Sequence, residues 1–211
     1  MSAAVFRLST RLRICQPARI RRLAVAPEQR QMTVCFTGHR QLADQEADAV
    51  SAKLDLLLPK LYRQGYRRFL CGGALGFDTL AAEAVMRLQA MYADAMLVMA
   101  IPCATQAMRW NEADTRRYEQ ILYAADETHV LSPAYYNGCM MVRNRFMVDR
   151  SALCVCYLNK MKGGTMSTVA YAVQEKLSVL NLAMAEDDAA SPEQHTSLTA
   201  AGADPSGSLR F

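Results

Sequence analysis

Three short stretches, TGHR at 37–40, GGALGFD at 72–78 and KGGT at 162–165, carry the residue types that grip a small anion: backbone able to come close, cationic side chains and a carboxylate. Glycine costs conformational entropy. Placing Gly72, Gly73 and Gly76 together between an apolar run and an amphipathic one therefore signals tight turning, close approach, or both. The candidate ligand-binding residues are Gly38, His39 and Arg40 from the first stretch, and Gly72, Gly73, Gly76 and Asp78 from the second. Gly163, Gly164 and Thr165 come from the third, and RNR at 143–145 adds two cations on an expected helix. Arg143 and Arg145 are two apart, so one helix face cannot turn both inward. Asp78 is placed either to accept from a ribose hydroxyl or to cap a helix. Trp110, the only tryptophan, either stacks on a base or anchors a helix.

Several chemistries are disfavoured by the same residues. GGALGFD has no Lys after its last glycine, unlike a P-loop, and it is not G-x-G-x-x-G. Of three histidines, His195 is near the C-terminus and His129 opens a strand, which leaves His39 alone near the candidate site. No metal and no cofactor are expected. The seven cysteines show no CxxC spacing. Cys35, Cys71, Cys154 and Cys156 sit in apolar runs as small hydrophobes, which suits a reducing cytoplasm. Cys103 and Cys139 have no paired histidine to activate them.

The elements that must position these residues follow from periodicity. TVCF (33–36), RRFLC (67–71), AMLVMAI (95–101), THVLS (128–132), ALCVCYL (152–158) and SVLNLA (178–183) read as strands. Between them run helical faces: Val50, Leu54, Leu57, Leu58 and Leu61; Leu80, Ala81, Ala84, Val85 and Leu88; Tyr118, Ile121, Leu122 and Ala125; MMVRNRFMVDR; and Met166, Val169, Val173 and Leu177. Gly65 reads as a helix stop, and Pro59 as a kink or a late boundary. Doubly apolar strands alternating with helices predict an α/β, Rossmann-like doubly wound fold, a mostly parallel sheet with helices on both faces. In such a sheet every glycine-bearing loop falls at the carboxyl ends of the strands, where open α/β sheets bind ligands. Loops that open helices at 72–78 and 163–166 would aim free N–H groups there, which suits phosphate.

The 211 residues, 52% hydrophobic with mean hydropathy −0.03, can bury one substantial core, and no stretch is apolar enough to span a membrane. The net charge of +4 is unevenly spread: residues 1–31 hold seven Arg against Glu28, which leaves 17 basic and 19 acidic residues for the remainder. Affinity for nucleic acid, suggested by the net charge, thus belongs to the leader. This leader fits a transit peptide or a basic arm; the favoured reading is a start at Met32, with the upstream residues not translated. Residues 32–184 form the expected domain, and the polar, aperiodic 185–211 a disordered tail.

TGHR, GGALGFD, ARW, GCMMVRNRFMVD and KGGTMSTVAYA, in this order and spacing, resemble the YpsA-like branch of the SLOG superfamily across roughly residues 32 to 183. That superfamily also holds cytokinin-activating phosphoribohydrolases and the DNA-processing protein DprA. The resemblance implies a Rossmann-like fold that binds nucleotides, nucleotide-derived signals or nucleic acid at this rim. It places Gly72, Gly73, Gly76 and Asp78 in the first glycine loop and Gly163, Gly164 and Thr165 in the phosphate-cradling second. Arg143 and Asn144, with Arg145, fall where the hydrolases carry a catalytic Arg and DprA a similar run. The hydrolases carry a Glu three residues beyond the loop Thr, whereas this chain has Thr168. The expected function is therefore nucleotide or nucleotide-derivative binding, ahead of an N-glycosidase or phosphoribohydrolase drawing on Glu112 or Asp149, and ahead of a DprA-like nucleic-acid protein. The expected partner is a small nucleotide-derived ligand, in the cytoplasm, with no membrane. Self-association is common among the relatives.

Overall fold

Val34, Cys35 and Phe36 are each no more than 1% exposed, as a strand covered on both faces must be. The computed structural model describes residues 12–14 and 26–184. Within it, β1 is Leu12–Ile14, α1 Pro27–Gln31, β2 Thr33–Gly38, α2 Asp44–Arg63, β3 Arg68–Cys71 and α3 Phe77–Met91. Next come β4 Met96–Ile101, α4 Glu112–Ala124, β5 Glu127–Val130, α5 Cys139–Asp149, β6 Leu153–Tyr157, α6 Gly163–Gln174 and β7 Ser178–Asn181. The six strands expected from the sequence are all present. Residues 1–11, 15–25 and 185–211 lie outside the described residues, so the readings of the leader as transit peptide, basic arm or untranslated stretch and of the disordered tail do too. The leader does contribute β1 and α1, where no element was expected; β1 pairs Leu12 with Thr128 and Ile14 with Val130 on β5.

The strand order is β1-β5-β4-β3-β2-β6-β7, and every pairing is parallel. Side chains alternate across the sheet. Val34, Phe36, Phe69, Leu97 and Met99 face a core completed by Leu54 and Leu58 of α2 and Val85 and Leu88 of α3. Cys35, Leu70, Val98 and Cys154 face a second core closed by Phe146 and Met147 of α5 and Ala172 of α6. Each fully buried Leu or Phe contributes roughly 1.5–3 kcal/mol, so these two layers hold the doubly wound arrangement together.

Of two local expectations, the helix stop at Gly65 stands and the buried face of α6 needs correcting. Pro59 lies inside α2, which continues to Arg63, and Gly65 follows with φ of 100°. The buried face of α6 is Thr165, Thr168 and Ala172, whereas Val173 is exposed and Leu177 lies beyond the helix end. Small side chains on that face let α6 lie close to β6 and β2, where larger ones would hold it away.

From β2 the chain winds outward through β3 and β4 to β5. It then crosses back through α5 to β6, on the other side of β2. The direction of winding reverses between β2 and β6, and the loops leaving their carboxyl ends part there. A crevice at such a switch point is where open α/β sheets take ligands.

Candidate functional site

A cavity of about 230 Å³ opens at the switch point. Its floor is the end of β2, with Thr37, Gly38, His39 and Arg40. Ala74 and Asp78 at the start of α3 form one wall, Met140, Arg143 and Asn144 of α5 another, and Lys162, Gly163, Gly164 and Thr165 at the start of α6 the third. Nine of the thirteen candidates therefore meet around one space. Gly72, Gly73, Gly76 and Trp110 do not line it.

Why the chain spends glycine at 72 and 76 is now visible. A Cβ on Gly72 would stand 1.5 Å from Arg143 Nη1 and 2.6 Å from Asp78 Oδ2. A Cβ on Gly76, where φ is 76°, would stand 2.4 Å from the carbonyl oxygen of Arg40. The close approach is thus between parts of the protein: Gly72 leaves room for a guanidinium, and Gly76 lets the start of α3 abut the first loop, where the Phe77 N–H donates to the carbonyl of His39 at 3.1 Å. Gly73 faces Ile101, Met99 and Tyr118. Trp110 is half-buried with its ring edge-on to Tyr118, centroids 5.2 Å apart, so it packs on α4. Tyr135 and Tyr136 are exposed on the β5–α5 loop.

Arg143 and Asp78 form a buried ion pair at 3.1 Å, with side chains 5% and 6% exposed. The Ala74 N–H donates to the same carboxylate oxygen at 3.3 Å. Burial pushes the Asp78 pKa up, and the Arg143 guanidinium and the Ala74 N–H oppose that rise. Arg143 Nε is buried and has no hydrogen-bond partner. Arg145, two residues on, points instead to the surface, over the ring of Tyr171 at 5.3 Å.

The third wall is the N-terminus of α6. Among the described residues no side chain caps it, and its first turn holds no acid. Added Cβ atoms at Gly163 and Gly164 would meet nothing within 4 Å, so a ligand can reach the backbone there. Free N–H groups at a helix start carry about half a positive charge. Arg40 and Lys162 are exposed beside it. With Arg143, three cationic side chains face one carboxylate. His39 adds no charge near neutral pH: burial, then Lys160, push its pKa down against Glu46, and its Nε2 accepts from the Asn159 N–H at 3.3 Å.

Thr168 is 3% exposed. Its hydroxyl donates to the carbonyl of Gly164 at 2.8 Å and accepts from Asn144 Nδ2 at 2.6 Å, tying α5 to the glycine turn of α6. Glu112 pairs with Arg116 on the surface of α4, and Asp149 accepts from the Tyr171 hydroxyl at 2.8 Å. Neither lines the cavity, where Asp78 is the one carboxylate among the described residues. Thr37, Ala74, Met140 and Lys162 were not singled out from the sequence. Lys162, directly before a glycine pair, was the one with a readable signal.

Residues 34–184 match the YpsA family, described as the YspA SLOG family. The chain belongs to this family. Among YpsA relatives, a UPF0398 protein of Halalkalibacterium halodurans is 30% identical over 109 residues, 51% of this chain and 58% of that protein. One from Bacillus licheniformis is 29% identical over 121 residues, 55% of this chain and 66% of the relative. The chain thus spans about three fifths to two thirds of these two relatives. Solved structures of DprA share the fold. The Streptococcus pneumoniae protein superposes with a TM-score of 0.52 at 22% identity, covering 72% of this chain and 50% of its own. A Helicobacter pylori DprA structure, concerned with single-stranded DNA binding, gives 0.53 at 18%, covering 72% and 65%. No helix among the described residues is long and apolar enough to cross a membrane.

Proposed function

We propose that this YpsA-family protein binds a nucleotide or nucleotide derivative and holds its phosphate at the switch-point cavity. The observation that carries the reading is the convergence of an uncapped, glycine-opened helix N-terminus with Arg40, Lys162 and a buried Arg143 on one space. Phosphate oxygens would accept from the first N–H groups of α6, while Arg40 and Lys162 supply charge from the rim. The unpartnered Nε of Arg143 is a further donor in want of an acceptor. Gly163 and Gly164 present bare backbone, so an oxygen can approach to hydrogen-bond distance. Asp78 acts through Arg143: it holds the guanidinium in place and offsets part of its charge.

Binding without cleavage is the favoured form. Hydrolysis of an N-glycosidic bond needs a carboxylate free to stabilise a developing sugar cation. Asp78 is occupied by Arg143 and by the Ala74 N–H, and Thr168 is a neutral hydroxyl engaged on both sides.

The test incubates the full chain with nucleoside monophosphates and follows both melting and release of free base. A ligand at one hundred times its Kd stabilises by about 2.7 kcal/mol, roughly 5–11 °C for a chain of this size. A rise in melting temperature with no base released supports binding. Base release lost in Arg143→Ala would instead establish the glycosidase. Salt-sensitive retention of an oligonucleotide, with no shift by mononucleotides, would favour a nucleic-acid function.

A further inference from the structure

Behind His39 lies a second hollow of about 260 Å³. Gln45, Glu46, Ala49 and Lys53 of α2 line it, with Tyr157 at the end of β6 and Leu182 beyond β7. The partition between the two hollows is thin. His39, which lines the first, accepts from the Asn159 N–H; Asn159 Nδ2 donates to Glu46 Oε1 at 3.2 Å, and Glu46 lines the second. The Tyr157 hydroxyl donates to the same oxygen at 3.2 Å, and the Tyr157 ring meets the His39 ring edge-on, centroids 6.4 Å apart. A hydrogen-bond path from His39 through the exposed Asn159 to Glu46 joins the two linings.

The chemistries of the hollows complement each other. The first gathers cations and helix N–H groups. The second offers an aromatic ring, the apolar Ala49 and Leu182, the Gln45 amide and a carboxylate. The Lys53 ammonium donates to the carbonyl of Leu182 at 2.8 Å, and the Glu46 carboxylate lining the same hollow opposes a second phosphate. Glu46 stays ionised, its pKa held down by the Ala43 N–H and the Tyr157 hydroxyl, and can accept from a sugar diol or a base amine. Each hollow alone falls short of the roughly 300–1,000 Å³ usual for a small-molecule site.

We propose that the two hollows are halves of one bipartite site for a two-ended ligand, with a phosphate in the first and a ribose or nucleobase in the second. The linking group passes over His39. This inference rests on the phosphate reading above, and the following experiment separates the two.

Calorimetry with the full chain compares ribose 5-phosphate, which fills only the first hollow, with ADP-ribose, which has a second nucleoside end. Ala49→Trp and, independently, Gln45→Trp fill the second hollow from exposed positions on α2, so neither removes a core contact. The wild type is expected to bind ADP-ribose at least about tenfold more tightly than ribose 5-phosphate, in line with the worth of one base–aromatic contact. Either tryptophan should erase that advantage and leave ribose 5-phosphate unchanged. An advantage that survives both variants, or is absent from the wild type, overturns the bipartite site. If ribose 5-phosphate does not bind but ADP-ribose binds and is lost in the variants, the phosphate reading falls and the second hollow stands. If neither ligand binds, both fall.

Discussion

Gly72→Ala tests whether the Arg143–Asp78 pair organises the site. The added methyl would stand 1.5 Å from Arg143 Nη1 and 2.6 Å from Asp78 Oδ2, so the guanidinium must leave the carboxylate. Both groups are nearly sealed from water, with side chains 5% and 6% exposed. Separating a pair buried this deeply costs about 3–5 kcal/mol, because each charge is left without compensation. For a chain of this length that is a fall of roughly 6–20 °C in melting temperature. Gly164→Ala is the control, since a Cβ there meets nothing within 4 Å and φ is not positive; its expected effect is within about 0.5 kcal/mol. In a background carrying Asp78→Asn and Arg143→Met, the same Gly72→Ala change should cost much less, because no ion pair remains to break. Thermal or urea unfolding of the wild type, the two single variants, the uncharged background and that background with Gly72→Ala reads the outcome. Equal melting of Gly72→Ala and Gly164→Ala would refute the reasoning. A penalty that persists in the uncharged background would locate the conflict in the backbone instead.

Three further outcomes are expected. Gly164→Asp should melt at or slightly above wild type, since an acid at a helix start is worth about 0.3–1 kcal/mol, yet lose ribose 5-phosphate binding at least about tenfold by calorimetry. Arg40→Ala, at an exposed position, should leave the melt within about 0.5 kcal/mol of wild type while weakening the same ligand severalfold and flattening the salt dependence of binding. Glu127 is held well below its ordinary 4.5 by hydrogen bonds from His129 and then Arg68, so its stabilisation is present above pH about 4.5 and lost as pH falls toward its folded value. Glu127→Gln should therefore melt below wild type at pH 7, with the gap narrowing in scans below pH 4.5.

The sheet was legible because its strands are apolar on both faces. RRFLC, AMLVMAI and ALCVCYL each fix a strand to within a residue or two of β3, β4 and β6. Once a parallel sheet is inferred, its loops must share one edge, and that topological step brought residues 38, 78 and 164 together, whereas Arg143 was placed there by the family resemblance. The edge strand β1 was not legible, since three residues in an arginine-rich leader carry no period of their own and become a strand only by pairing with β5. The purpose of Gly72 and Gly76 was also hidden. A close approach can be inferred from glycine, but its partner, Arg143 or the carbonyl of Arg40, is set by tertiary contact. The inward turn of Arg143 did have a signal: it shares a helix face with Met140 and Met147, three and four residues away, while Arg145 falls on the other side. The second hollow had none, because α2, β6 and the chain after β7 meet there from three distant parts of the sequence.

Amide chemical shifts of the isotope-labelled full chain, followed while ribose 5-phosphate is added, test the central claim most directly. The account predicts that the N–H signals of Gly163, Gly164 and Thr165 move progressively and saturably, accompanied by the Arg143 Nε–H. Signals at those four positions that stay fixed while the sugar phosphate binds elsewhere, or fails to bind at all, would contradict it.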